Sequence, residues 1–339
     1  MKTKTEFIRI MAVIPTVVFL LSGCGKENVP GTSETLSRQA GQTAVETGIS
    51  EGNATGTTIG EDKSDKGGSG EGEPEQAAKE KSLINAAGDT LETRVLPPEG
   101  YARTDEPEGS LAEFMRGYAM KEDQSPVLLY NGREKNNQSA HQAVFALPME
   151  AEDLQQCADS VMRVYAEYFY RSGQPERIAF HFTNGFLAEY IRWRDGGRIA
   201  VEGDRVSWVQ SAEYDDSYEC FQKYLRMVFC YAGTLSMEAE SGETTLSELQ
   251  VGDVFLKGGS PGHVVMVVDI CENEEGRKAF LLGQGYMPAQ EFHVLKNPLH
   301  EEDPWYYEEE VSYPFQTPEY VFGEGSLRKL QYRENATAG

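Results

Sequence analysis

Two residues in the middle of this chain are of types and in surroundings that suit nucleophilic catalysis. In LSELQVGDVFLKGGSPGHVVMVVDI, residues 246–270, Gly252-Asp253 opens a strand, a flexible GGSPG loop follows, and His263 stands at the mouth of the apolar run VVMVVDI. A histidine at a strand start, beside glycines, is open to solvent on one side and held by a rigid sheet on the other. That placement suits a general base. Upstream, Cys220 falls in the first turn of a helix that begins at Ser217. A thiol there meets unpaired backbone N–H groups and the positive end of the helix dipole, and both favour thiolate. Thiol and imidazole together would make a nucleophile–base pair.

The elements that must position these groups follow from periodicity. The segment DLQQCADSVMRVYAEYFY reads as a helix capped by Asp153, with Leu154, Cys157, Ala158, Val161, Met162, Tyr165 and Phe169 on one apolar stripe. SYECFQKYLRMVFCYA reads as a second helix, capped by Asp216 or Ser217 and stopped by Gly233. A shorter helix is expected over 110–119. Strands are expected at Val127–Tyr130, His141–Leu147, Ile178–Thr183, Phe186–Trp193 and Val206–Val209. The second half adds Asp253–Lys257, His263–Ile270, Ala279–Gln284 and Glu291–Leu295, followed by a Pro- and aromatic-rich, mostly extended C-terminus. Helices early and strands late predict an α+β fold with an antiparallel sheet.

The order from Cys220 through Ala232-Gly233 and Gly252-Asp253-Val254-Phe255 to His263-Val264-Val265-Met266-Val267 resembles the NlpC-type, papain-like cell-wall endopeptidases, over about 217–290, with an NlpC-like core expected over about 217–295. That resemblance implies a papain-like arrangement with Cys220 as nucleophile and His263 as base. It also implies a third polar residue on the next strand that orients the imidazole: Gln284 in LLGQGY, with His293 the less favoured choice. The chain departs from the family's Asp-Cys-Ser-Gly at the nucleophile, where it has Tyr218-Glu219-Cys220-Phe221.

A second resemblance covers 93–330. VLPPEGYAR, SPVLLYNGREKNNQ, DLQQCADSVMRVYAEY, YLRMVFCYAGTLS, GDVFLKGGSPGHVVMVVD, LLGQGYMPAQEFHVLKNP and TPEYVF are similar to a bacterial lipoprotein family known as domain of unknown function 4846. It implies a surface or periplasmic lipoprotein and attaches no activity. It also implies a small residue where Cys220 stands, which makes Cys157 the competing nucleophile. Cys157 is four residues past Asp153, so the helix-dipole argument applies to it too, although its place on the apolar stripe suits a buried, inert thiol. Cys230 and Cys271 read as structural. Cys220 and Cys230 cannot pair, because ten helical residues separate them by about 15 Å. Tyr286-Met287-Pro288-Ala289-Gln290 reads as a rigid turn lining a cleft.

The 339 residues carry a net charge of −24, which argues against nucleic acid and against a polybasic membrane patch. His141, His181, His263, His293 and Cys271 show no metal-ligand spacing, and GGSPGH leads into a strand, so no metal, nucleotide or other cofactor is expected. Lys2, Lys4 and Arg9 precede an apolar run that ends Leu21-Ser22-Gly23-Cys24. The run is too short to span a bilayer, which takes about 20 residues. It resembles a bacterial lipobox, with residues 1–23 removed and Cys24 lipidated on the extracytoplasmic side of the cell membrane. Residues 24–92 read as the lipidated Cys and a disordered linker: no aromatic lies between Gly25 and Gly100, and Gly, Ser, Thr and Glu dominate. Such a coil reaches roughly 45 Å. Residues 93–339 are then one α+β domain. The expected function is a membrane-anchored thiol amidase or endopeptidase acting on peptidoglycan or an envelope peptide. The alternative is a non-catalytic module that binds peptidoglycan, glycan or an envelope protein through the His263 cleft.

Overall fold

The structure is a computed structural model, and it describes residues 82–333. The signal run, Cys24 and most of the linker lie outside the described residues. The linker's last stretch does not: Ile84 bridges Val95 and Leu91 is fully buried, so residues 82–92 belong to the folded unit. Composition averaged over 24–92 hides this, because Leu83, Ile84 and Leu91 sit at the end of a long polar segment with no aromatic. Among the described residues no helix is long and apolar enough to cross a membrane.

Helices and antiparallel strands make this an α+β unit. The helices are α1 (Leu91–Arg94), α2 (Leu111–Arg116), α3 (Cys157–Arg171), α4 (Tyr190–Arg194), α5 (Tyr218–Tyr231) and α6 (Thr234–Ala239). The strands of the first half are β1 (Tyr101–Arg103), β2 (His141–Val144), β3 (Ala179–His181), β4 (Leu187–Glu189), β5 (Gly197–Glu202) and β6 (Arg205–Gln210). Those of the second half are β7 (Ser241–Glu243), β8 (Val254–Lys257), β9 (His263–Asn273), β10 (Lys278–Gln284), β11 (His293–Leu295), β12 (Tyr306–Tyr307), β13 (Phe315–Gln316), β14 (Val321–Phe322) and β15 (Leu327–Leu330).

The main sheet runs β2-β11-β10-β9-β8-β15-β7, with β1 also on β9 and β12 also on β10. Hairpins β3–β4, β5–β6 and β13–β14 stand apart from it. Every residue from His263 to Cys271 is buried, so β9 is covered on both faces. Its apolar run, without alternation, has that physical meaning. Helix α3 packs on β9 and β10. All of α3 from Cys157 to Phe169 is buried, not just one stripe. Its charged residues are tolerated there because they are paired: Arg163 Nε meets Glu167 Oε1 at 2.9 Å, and Tyr218 donates to the same oxygen at 2.5 Å. On β9, buried Asp269 accepts from Arg103 at 2.7 Å and from Arg116 at 2.8 Å, which ties β1 and α2 to the sheet.

Three local expectations change. Val127–Tyr130 makes only isolated bridges, Leu128 to Glu134 and Leu129 to Gln290. The Phe186–Trp193 run is strand only to Glu189 and then coils into α4, because Tyr190 and Trp193, three apart, bury together against α5. Beyond Gly233 a further short helix, α6, carries Thr234 and Glu238 towards the GGSPG loop.

Candidate functional site

The start of α3 decides the site. Asp153 does not cap it. Its Oδ1 instead accepts the Ala289 amide at 2.7 Å and the Gln156 side-chain amide at 3.1 Å. Gln156 stays extended, with φ −86° and ψ −152°, and its N–H donates to Asp159 Oδ2 at 3.0 Å. Cys157 is therefore the first helical residue, not one turn inside. Backbone N–H groups of Ala158, Val264 and Cys157 itself favour the thiolate at its sulfur. Burial outweighs them and, with Asp159 adding to it, pushes the thiol up to about 11.

Val264 is the neighbour of His263, the first residue of β9. The His263 ring was expected to be open on one side, but it is only 2% exposed. The rings of Tyr286, Tyr320 and Phe322 cover it, with centroids at 4.6, 4.8 and 6.0 Å. Burial pushes the imidazole down to about 4, against the opposing hydrogen bond from Gln284, and the Lys135 charge acts in the same direction as burial. At neutral pH thiol and imidazole are thus both uncharged.

Gln284 ends β10, antiparallel to β9, and its Oε1 lies 2.7 Å from His263 Nε2. Its Nε2 donates to Glu319 Oε2 at 2.7 Å and lies 3.5 Å from His293 Nε2. His293 is buried in β11 and uses Nδ1 on the Glu291 carbonyl at 2.8 Å. Lys135 Nζ meets Glu319 Oε2 at 2.5 Å, and Asn137 donates to Oε1 at 3.1 Å.

His263 and Gln284 are brought together. Cys157 comes to the same place, beside Val264 and close enough to Tyr286 to act on its phenol. Cys220 does not. It is the third residue of α5, where its N–H meets Ser217 Oγ at 3.2 Å, and it lies among Trp193, Tyr170 and Tyr190. Burial, then Asp215, raises its thiol. None of these neighbours is among the groups around His263. The GGSPG loop also has a packing role: Thr234 donates to the Gly259 carbonyl at 3.2 Å, and the Gly258 amide donates to Glu238 at 3.1 Å.

Sequence reasoning missed Glu319, Lys135, Tyr320 and Phe322. They lie in SPVLLYNGREKNNQ and TPEYVF, segments with no period that singles out a site residue. Thr317 and Tyr320 close a tight turn there, with Thr317 N–H on the Tyr320 carbonyl at 2.9 Å, and the turn aims Glu319 inwards. A separate cavity of about 570 Å³ lies near the far end of α3, lined by Phe114, Tyr118, Tyr168 and Arg171. A helix of 15 residues spans about 22 Å, which sets that cavity apart from Cys157. Among the described residues no cluster of three or more His, Cys, Asp or Glu could hold a metal ion.

No curated protein and no solved structure matches the chain. A family model does match, and it spans α1 to β15, including every residue of the Cys157, His263, Gln284 and Glu319 constellation. Over residues 91–329 the chain belongs to the family described as domain of unknown function 4846.

Proposed function

We propose that this chain is a thiol amidase of the cell envelope, with Cys157 as nucleophile, His263 as base and Gln284 orienting the base. What supports the reading is the placement of the Cys157 sulfur against the Val264 amide, one residue from an imidazole whose Nε2 lies 2.7 Å from Gln284 Oε1. The papain-like order of elements then starts from α3, not from α5. Because the resting pair is uncharged, the proton must move as the bond forms. The sulfur attacks the amide carbon while its proton passes to His263 Nδ1. The imidazolium protonates the departing nitrogen, and the C–N bond breaks to leave an acyl-thioester. Water, deprotonated by His263, releases the acid and restores the thiol. The N–H groups of Cys157 and Ala158 at the helix start can stabilise the tetrahedral oxyanion.

The substrate class rests on the N-terminus. Lys2, Lys4, Arg9, the apolar run and Leu21-Ser22-Gly23-Cys24 support export and lipidation at Cys24. That would leave the folded unit facing peptidoglycan and envelope peptides. Incubation of the full chain with purified peptidoglycan should release new amino groups. Cys157→Ala and His263→Ala should abolish the release, and Cys220→Ala should leave it intact. Release that survives Cys157→Ala would overturn the assignment. A second reading, a non-catalytic binding module, is favoured by the closed and uncharged state of the pair. Co-sedimentation with peptidoglycan, with no amino groups released, would establish that reading instead.

A further inference from the structure

We propose that Glu319, held by Lys135, is a positioning residue that sets which nitrogen of His263 carries the proton. The inference deepens the reading of His263 as a base and rests on it for its catalytic meaning.

A carboxylate only accepts hydrogen bonds, and a lysine ammonium only donates them. Lys135 is 7% exposed and donates to Glu319 Oε2 at 2.5 Å, which holds that oxygen in place as an acceptor. The Gln284 carboxamide, fully buried, must then turn its NH₂ towards Glu319, at 2.7 Å. The second amide hydrogen faces His293 Nε2 at 3.5 Å, which is an acceptor because His293 Nδ1 donates to the Glu291 carbonyl at 2.8 Å. Both hydrogens therefore point away from His263, and Oε1 points at it. Oε1 can only accept, so His263 donates from Nε2 at 2.7 Å. The lone pair is left on Nδ1, the nitrogen that the proposed proton transfer requires. A flipped carboxamide would set its oxygen against Glu319 and its NH₂ against Nε2, and so would demand the opposite tautomer. Glu319 makes that flip unfavourable. The turn that delivers Glu319 also delivers Tyr320, whose ring covers the imidazole at 4.8 Å, so orientation and enclosure come from one segment.

The test reads the tautomer directly. The full chain is labelled with nitrogen-15 histidine, and the His263 ring nitrogens are assigned by comparison with His263→Ala. Wild type should show one tautomer, protonated at Nε2. The double variant Lys135→Met/Glu319→Leu removes both charges together and leaves neither buried alone. It should show a mixture of the two tautomers with an unchanged far-ultraviolet circular dichroism spectrum. If the double variant does not fold, Glu319→Gln, of the same size but able to donate, should show the mixture instead. A single Nε2-protonated form in a folded variant would overturn the proposal. Release of amino groups from peptidoglycan is read in parallel, and kcat should fall at least about tenfold in the variant, with KM little changed. If wild type releases none, the amidase reading falls, while the tautomer still decides the role of Glu319.

Discussion

Asp153 Oδ1 accepts the backbone N–H of Ala289 at 2.7 Å, and this bond joins the approach to α3 to the turn between β10 and β11. Helix and sheet edge are thereby fixed to each other where Cys157 meets Val264. Asp153→Ala should cost about 1 kcal/mol, the usual net worth of such a bond at a partly exposed position. Urea unfolding of the full chain measures it. An unchanged midpoint would show that packing alone sets the helix start.

Cys157 should be a slow thiol at rest. An ordinary thiol of pKa about 8.5 is roughly a tenth ionised at pH 7.5, and one pushed up to about 11 is ionised a few hundred times less. Iodoacetamide should therefore label half-exposed Cys230 well before Cys157, as read by peptide mass. Preferential labelling of Cys157 below pH 7, lost in His263→Ala, would instead reveal a thiolate–imidazolium pair.

The His263 imidazole, pushed down to about 4 by burial, is neutral when folded at a pH where the unfolded chain protonates it. Its contribution is present above the unfolded value of about 6.5 and is lost as pH falls towards about 4, some 3 kcal/mol over the window. His293 and His141 are lowered too, burial being the first cause for both. The comparison that isolates His263 is wild type against His263→Gln at pH 7.5, 6 and 5. The stability of the variant should fall less steeply with acid. Parallel curves would contradict the buried neutral ring.

Gly285 follows Gln284, and a Cβ there would meet Ser160 Oγ and the Gln156 carbonyl, on the first turn of α3 and just before it. The Gln156 oxygen is backbone, so it cannot swing away. Gly285→Ala should force β10 and α3 apart, at a cost of about 1–3 kcal/mol. It should also speed iodoacetamide labelling of Cys157 by opening the contact that buries it. A variant as stable as wild type, with Cys157 no faster, would show that the helix start can shift freely.

Much of this protein is readable from sequence. His263 and Gln284 lie on strongly apolar strands, expected at 263–270 and 279–284, whose apolar runs and glycine boundaries are local signals. The α+β class follows from the same patterns. The helix over 157–171 is equally plain, but its first residue is not. Asp153 has the chemistry of a cap, and only the tertiary partner Ala289 draws it away and brings Cys157 to the end. Cys220 has every local feature of a helix-start thiol, and no local feature tells which helix start faces β9. That choice is made by packing: α3 lies on β9 and β10, while α5 lies on α3 and α4. The same holds for Glu319 and Lys135, which lie far apart in the chain: they meet each other, and Glu319 meets Gln284, only through the C-terminal turn. Sequence determined the residues able to do chemistry and the strands that hold two of them. Tertiary structure decided which thiol lies beside them and which side chains enclose and hydrogen-bond them, because burial and hydrogen-bond complementarity depend on neighbours that are distant in the chain.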